Sequence, residues 1–110
     1  MAPLTVDELR AAIDDTERRA AVSAVELADA FLERIDETQS SIRAFITVTH
    51  DLARADAERV DRERDHGRRL PLDGMPIAVK DNIDVGGIRR TVASKFFEHH
   101  VPEQDRKSVV

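Results

Sequence analysis

Cysteine is absent from the 110 residues, which excludes disulfides, thiolate zinc sites and a cysteine nucleophile and fits a reducing cytoplasm. Tryptophan and tyrosine are absent too, so the two residues that bury the largest areas contribute nothing to a core. No apolar stretch approaches the roughly 20 residues that a membrane-crossing helix needs. The opening Met1-Ala2-Pro3-Leu4-Thr5 lacks the basic and then apolar run of a secretion signal. Positive charge is not in excess: the net charge is -5 and the pI near 5.3, which gives no general attraction for phosphate backbones or anionic lipid. These absences together set the expectation of a cytoplasmic protein that binds neither nucleic acid nor membrane.

What is present is enough for one small domain, or one piece of a larger one, over residues 1–110. Leucine, isoleucine, valine and phenylalanine number 7, 7, 11 and 4, above the content of a disordered chain. The core they allow is thin, because 14 alanines make up much of the remaining hydrophobic content. Arginine is abundant but alternates with acids, as in Glu58-Arg59-Val60-Asp61-Arg62-Glu63-Arg64-Asp65, the pattern of a solvated helix face with internal ion pairs.

Two capping boxes mark helix starts. Thr5-Val6-Asp7-Glu8 and Ser23-Ala24-Val25-Glu26 each place a hydroxyl three residues before a carboxylate, so that each side chain can satisfy a free backbone amide. After the first, Val6, Leu9 and Ile13 share a face; after the second, Val25, Ala28, Phe31, Leu32 and Ile35 form an apolar stripe at helical spacing. A third helix is expected over about 51–65, with Leu52, Ala53, Ala57 and Val60 as its narrow buried face. Between them, the alternating and β-branched Ile42-Arg43-Ala44-Phe45-Ile46-Thr47-Val48 reads as a short strand.

From His66-Gly67 onward glycine and proline concentrate and the character changes to loops and short strands. Pro71-Leu72-Asp73-Gly74 is turn chemistry. Met75-Pro76-Ile77-Ala78-Val79 reads as a strand apolar on both faces, which needs a sheet covered on two sides. Residues 1–66 are thus expected to be helical and 67–110 to form a strand and loop region. Few residues remain to complete such a sheet, and the ending on Val109-Val110 has neither a helix stop nor a polar tail, so a truncated sequence is expected.

Lys80 follows that apolar run directly, where catalytic groups often sit. A lysine can act as a general base only when its pKa falls from about 10.4 towards 7, a change worth about 4–5 kcal/mol that desolvation or nearby positive charge must supply. The alternative is a lysine in water at a strand end, paired with Asp81 or Asp84. Those two acids could themselves be an acid and base pair or hard metal ligands, but before Gly86-Gly87 they read as turn formers. His99 and His100 are adjacent, so their rings diverge and no zinc site is expected. Ser40-Ser41 reads as a loop or cap, and Ser94 as a loop residue with a nucleophile beside Lys95 as the alternative.

The run Pro71-Leu72-Asp73-Gly74-Met75-Pro76-Ile77-Ala78-Val79-Lys80-Asp81-Asn82-Ile83-Asp84-Val85-Gly86-Gly87 resembles the lysine motif of the amidase signature family. Thr91-Val92-Ala93-Ser94 and Val101-Pro102-Glu103-Gln104-Asp105 fit that family's next segments in register. Ser23-Ala24-Val25-Glu26-Leu27, Glu33-Arg34-Ile35 and Arg43-Ala44-Phe45-Ile46 resemble its N-terminal helices and the strand after them. The resemblance implies an α/β fold, with N-terminal helices followed by short strands of a mixed sheet, here an incomplete one. It implies amide hydrolysis through an acyl-enzyme by a serine, cis-serine and lysine triad, without a cofactor or metal. Lys80 matches the lysine, which would take a proton from the cis-serine. The family's Gly-Ser-Ser-Gly region does not occur in the sequence, so the expectation is an amidase section acting on a small-molecule amide only in the complete enzyme, and inactive alone. Leu70-Pro71 stands where many relatives have Gly-Pro, and Asp105-Arg106-Lys107-Ser108 replaces a shorter link. Two alternatives stay open: the glutamine-hydrolysing component of a tRNA-dependent amidotransferase, and a non-catalytic helical interaction module from a truncated gene.

Overall fold

The computed structural model describes residues 5, 7–8 and 22–105. At the first capping box, the Thr5 hydroxyl accepts from the Glu8 amide at 3.2 Å while the Glu8 carboxylate accepts from the Thr5 amide at 2.7 Å. Asp7 and Glu8 are helical. The apolar face expected after it, Val6, Leu9 and Ile13, lies outside the described residues.

The second box opens helix α1, Ala24–Ile42. Ser23 Oγ accepts from the Glu26 amide and Glu26 Oε2 accepts from the Ser23 amide, both at 3.0 Å. A helix start leaves its first amides without internal partners, and here the remaining two find one outside the helix. Ala24 and Val25 donate to the two oxygens of Asp61 at 2.7 and 3.1 Å. The helix ends at Arg43, whose left-handed conformation (φ 52°) turns its own amide back to the Gln39 carbonyl.

Helix α2 spans His50–Asp65. Its carboxylates and cations fix its direction against α1: Asp61 meets Ala24, Arg54 Nε meets Asp29 at 2.6 Å, and His50 Nε2 meets Asp36 at 3.0 Å. The pairing runs in opposite order along the two helices, which therefore form an antiparallel hairpin. Ala24 and Ala28 of α1 pack with Ala57 and Val60 of α2, flanked by half-buried Val25 and Leu70. Small side chains let the backbones approach closely but bury little area each. Of the face expected for α2, Ala57 and Val60 are buried and Ala53 half-buried, whereas Leu52 is 47% exposed.

The turn after α2 closes on this hairpin. Asp73 donates its amide to the Leu70 carbonyl at 3.1 Å and Met75 to that of Leu72 at 2.9 Å, with Asp73 and Gly74 both at positive φ (42° and 83°). At Gly74 only glycine fits: a Cβ there would lie 2.8 Å from the Ala24 Cβ and 3.4 Å from Val60. These residues form one unit, which takes in the described residues up to 44 together with 48–76; residues 45–47 and 77–105 belong to a second.

The second unit is built from turns. Gly87 donates to the Pro102 carbonyl and Arg90 to that of His100, both at 2.9 Å, and Ser94 caps a short 3-10 turn, Lys95–Phe97. Arg90 lies over the Phe97 ring, 5.6 Å from its centre.

The expected α/β class is overturned: among the described residues the regular structure is helical and no strand forms. A strand exists only where a neighbour accepts and donates its backbone hydrogen bonds. Residues 76–79 carry the apolar, β-branched composition of a strand, yet no segment pairs with them among the described residues. The second expected strand fails locally, since Ile42 is the last residue of α1 and Arg43 caps it. No helix among the described residues is long and apolar enough to cross a membrane.

Candidate active site around Lys80

The chain turns at Lys80 because the next residues are turn formers. Ile83 donates its amide to the Lys80 carbonyl at 3.0 Å, closing a tight turn through Asp81 and Asn82. Lys80 is exposed and forms no ion pair among the described residues. The pairing with Asp81 or Asp84 considered from the sequence is not realised, because both acids are engaged elsewhere.

Asp81 faces the 91–93 loop. Its carboxylate accepts from the Thr91 amide at 2.8 Å, from the Thr91 hydroxyl, and from the Ala93 amide at 3.3 Å. Its carbonyl accepts from the Val92 amide at 3.4 Å. The Thr91 hydroxyl and amide hold the Asp81 carboxyl below the usual carboxylate range. A carboxylate so bound is a poor proton carrier at neutral pH, which removes Asp81 as an acid or base and makes it a clamp. Thr91 is buried, and nothing in its local sequence marks it as the partner of a residue ten positions earlier.

Asp84 lies against Arg90, with Nε 2.5 Å from Oδ1. The two face each other as an ion pair outside hydrogen-bond angles. Ser94 accepts from the Phe96 amide at 3.3 Å, so its oxygen caps a turn as the loop reading anticipated. Ser40 and Ser41 lie within the last turn of α1 rather than after it, and Ser41 donates to the Thr38 carbonyl at 3.0 Å. No group of three or more His, Asp or Glu side chains capable of holding a metal occurs among the described residues.

A shallow groove of about 260 Å³ lies in the second unit, lined by Ile46, Arg89, Thr91, Ala93, Ser94, Lys95 and Glu98. Lys80 does not line it. The clamp therefore connects the two features: Asp81 follows Lys80 in the chain, and Thr91 and Ala93 form part of the groove wall.

The profile of the Amidase family matches residues 26–110, a span that contains the whole motif around Lys80. The chain belongs to the amidase signature family. Among its amidase relatives, the A-type component of glutamyl-tRNA(Gln) amidotransferase from Synechococcus sp. (strain CC9311) is 52% identical over 74% of this chain and 17% of its own length. The protein of the same name from Roseiflexus sp. (strain RS-1) is 40% identical over 96% of this chain and 21% of its own. A solved chain described with "an unexpected vestigial protein complex" that reveals the evolutionary origins of an s-triazine catabolic enzyme aligns with a TM-score of 0.79 at 29% identity. That alignment covers 93% of this amidase chain and 22% of the solved one. The chain thus spans about a fifth of the length of the curated relatives it matches.

Proposed function

We propose that this chain supplies the lysine of an amide hydrolase, with Lys80 as the general base. The observation that carries the reading is the position of Lys80 within the family's span, at the end of the apolar run Met75–Val79. In the proposed reaction, Lys80 takes a proton from a bridging serine as that serine takes one from the nucleophilic serine. The nucleophile's oxygen bonds to the amide carbonyl carbon, the C–N bond breaks as the proton returns to the leaving nitrogen, and water releases the acid. The Gly-Ser-Ser-Gly string that bears both serines in the family does not occur in residues 1–110. The 110 residues alone are therefore expected to release no ammonia.

The test joins residues 1–110 to the rest of the Roseiflexus relative, whose alignment covers 96% of this chain. Lys80→Ala should lower kcat of that chimaera about 10³-fold or more, with KM little changed. Retention of activity within tenfold would reject Lys80 as the base.

The names of the relatives favour a narrower reading, in which the amide is that of glutamine and the ammonia serves a tRNA-dependent amidotransferase. Ammonia release from glutamine by the protein isolated from its own host, compared with release from simple carboxamides, separates this from a free amidase. Preference for simple carboxamides would reject the narrower reading while leaving the base role intact.

A further inference from the structure

Two consecutive residues in the second unit occupy the left-handed region without being glycine: Val92 at φ 51° and Ala93 at φ 53°. For a β-branched residue such as Val92 this conformation is a true outlier, and it persists only where surrounding contacts over-determine it. The contacts that do so converge on one residue. Thr91, Val92 and Ala93 all turn their amides to Asp81, two of them to the carboxylate and one to the carbonyl. Successive amides in such a turn form a concave anion site, and here the chain fills that site with its own carboxylate.

We infer that Asp81 is a positioning residue for Lys80: by occupying the amide nest of residues 91–93 it fixes the turn from which the lysine projects. This rests on the proposed base role of Lys80. The turn has few other restraints. Its single local hydrogen bond is that of the Ile83 amide to the Lys80 carbonyl, and Lys80, Asn82 and Ile83 are exposed. A general base must sit within about 2.6–3.2 Å of the proton it takes, so a backbone free to wander at residue 80 would spoil the geometry. Anchoring the adjacent residue at both carboxylate oxygens removes that freedom, and the strained loop is the other half of the same device.

The experiment uses the 110-residue chain and measures amide hydrogen exchange in Asp81→Asn, Asp81→Glu and Thr91→Val. In Asp81→Asn the amides of Thr91 and Ala93 should exchange about tenfold faster or more, and that of Ile83 should accelerate with them. Asp81→Glu should restore part of the protection. Amides of Leu32 and Ala57 in the helical hairpin serve as the fold reference and should not change. Unchanged exchange at Thr91 and Ala93 would overturn the clamp, and unchanged exchange at Ile83 would overturn its reach to the lysine turn.

A second readout separates position from charge. The pH profile of Lys80 acylation, taken relative to Lys107, should move about twofold or more in Thr91→Val, which alters no charge. If it moves only in Asp81→Asn, local charge explains the effect and the inference falls. Neither readout needs amide turnover, so failure here leaves the base role of Lys80 to the chimaera, and failure there leaves the clamp standing.

Discussion

At the residue scale, the densest set of interactions belongs to Asp73, only 4% exposed. Arg64 Nε donates to its Oδ1 at 3.0 Å and Arg69 Nη1 to its Oδ2 at 2.5 Å, while Arg64 also reaches the Asp73 carbonyl at 2.8 Å and that of Val22 at 2.9 Å. Burial pushes the Asp73 carboxyl up, but the hydrogen bonds from Arg64 and Arg69 outweigh it and hold the group below its ordinary value. Removing one partner of a buried pair leaves the other uncompensated, so Asp73→Asn should cost about 1–3 kcal/mol by chemical denaturation. The sign with pH follows from the depressed value: the contribution is complete above the unfolded carboxyl pKa of about 3.9 and is lost as pH falls through the lower folded value. The stability gap between the unaltered chain and Asp73→Asn should therefore be flat from pH 7 to about pH 5 and close below about pH 4. A gap that widened on acidification would contradict the pairing. From the sequence, Asp73 was legible as a turn former and Arg64 as one cation on a solvated helix; that the two meet was not, because the contact depends on how the turn folds back on α2. Lys80 was legible only through the string around it, since nothing in composition or spacing separates a base from a lysine in water.

The elements show the same division between local and distant signals. Helix α1 is capped twice at its start, once by the Ser23 and Glu26 box and once by Asp61 from α2. The box is written in four adjacent residues and could be read directly; the Asp61 cap joins residues 36 and 37 positions apart and could not. Ser23→Ala should cost about 0.5–2 kcal/mol, the usual loss for a cap. Asp61→Ala should cost at least as much, because it frees two part-buried amides at once. A denaturation series that ranks Ser23→Ala as the more harmful would mean that the trans cap contributes little. The strands were misread for a related reason. Periodicity and β-branching report how a segment would suit a sheet, but a ladder also needs a second segment, and the described residues hold none for 76–79.

For the whole molecule, the limiting quantity is buried apolar surface. The buried hydrophobic residues among those described are Ala24, Ala28, Leu32, Ala57 and Val60, and no large side chain among them is fully buried. Against that, Ile77 is 70% and Phe96 88% exposed, with Val79 and Val101 near half. Native stability is a small difference between burial and chain entropy, so a core made mostly of alanine leaves a shallow margin. The 110-residue chain should accordingly melt broadly, with a urea slope below about 1 kcal/mol/M, the low end for small proteins. Its unpaired segment sets a second behaviour. Ile77 and Val79 alternate on a backbone whose amides find no partner among the described residues, and such an edge is a template for another chain unless charge or proline blunts it. Sedimentation at rising concentration should show self-association, and Ile77→Lys with Val79→Lys should suppress it while leaving the helical circular dichroism of α1 and α2 unchanged, because neither residue belongs to their core. Association of equal strength in the double variant would move the sticky surface elsewhere, to Phe96 first, and would remove the reason to regard 76–79 as a strand waiting for its neighbour.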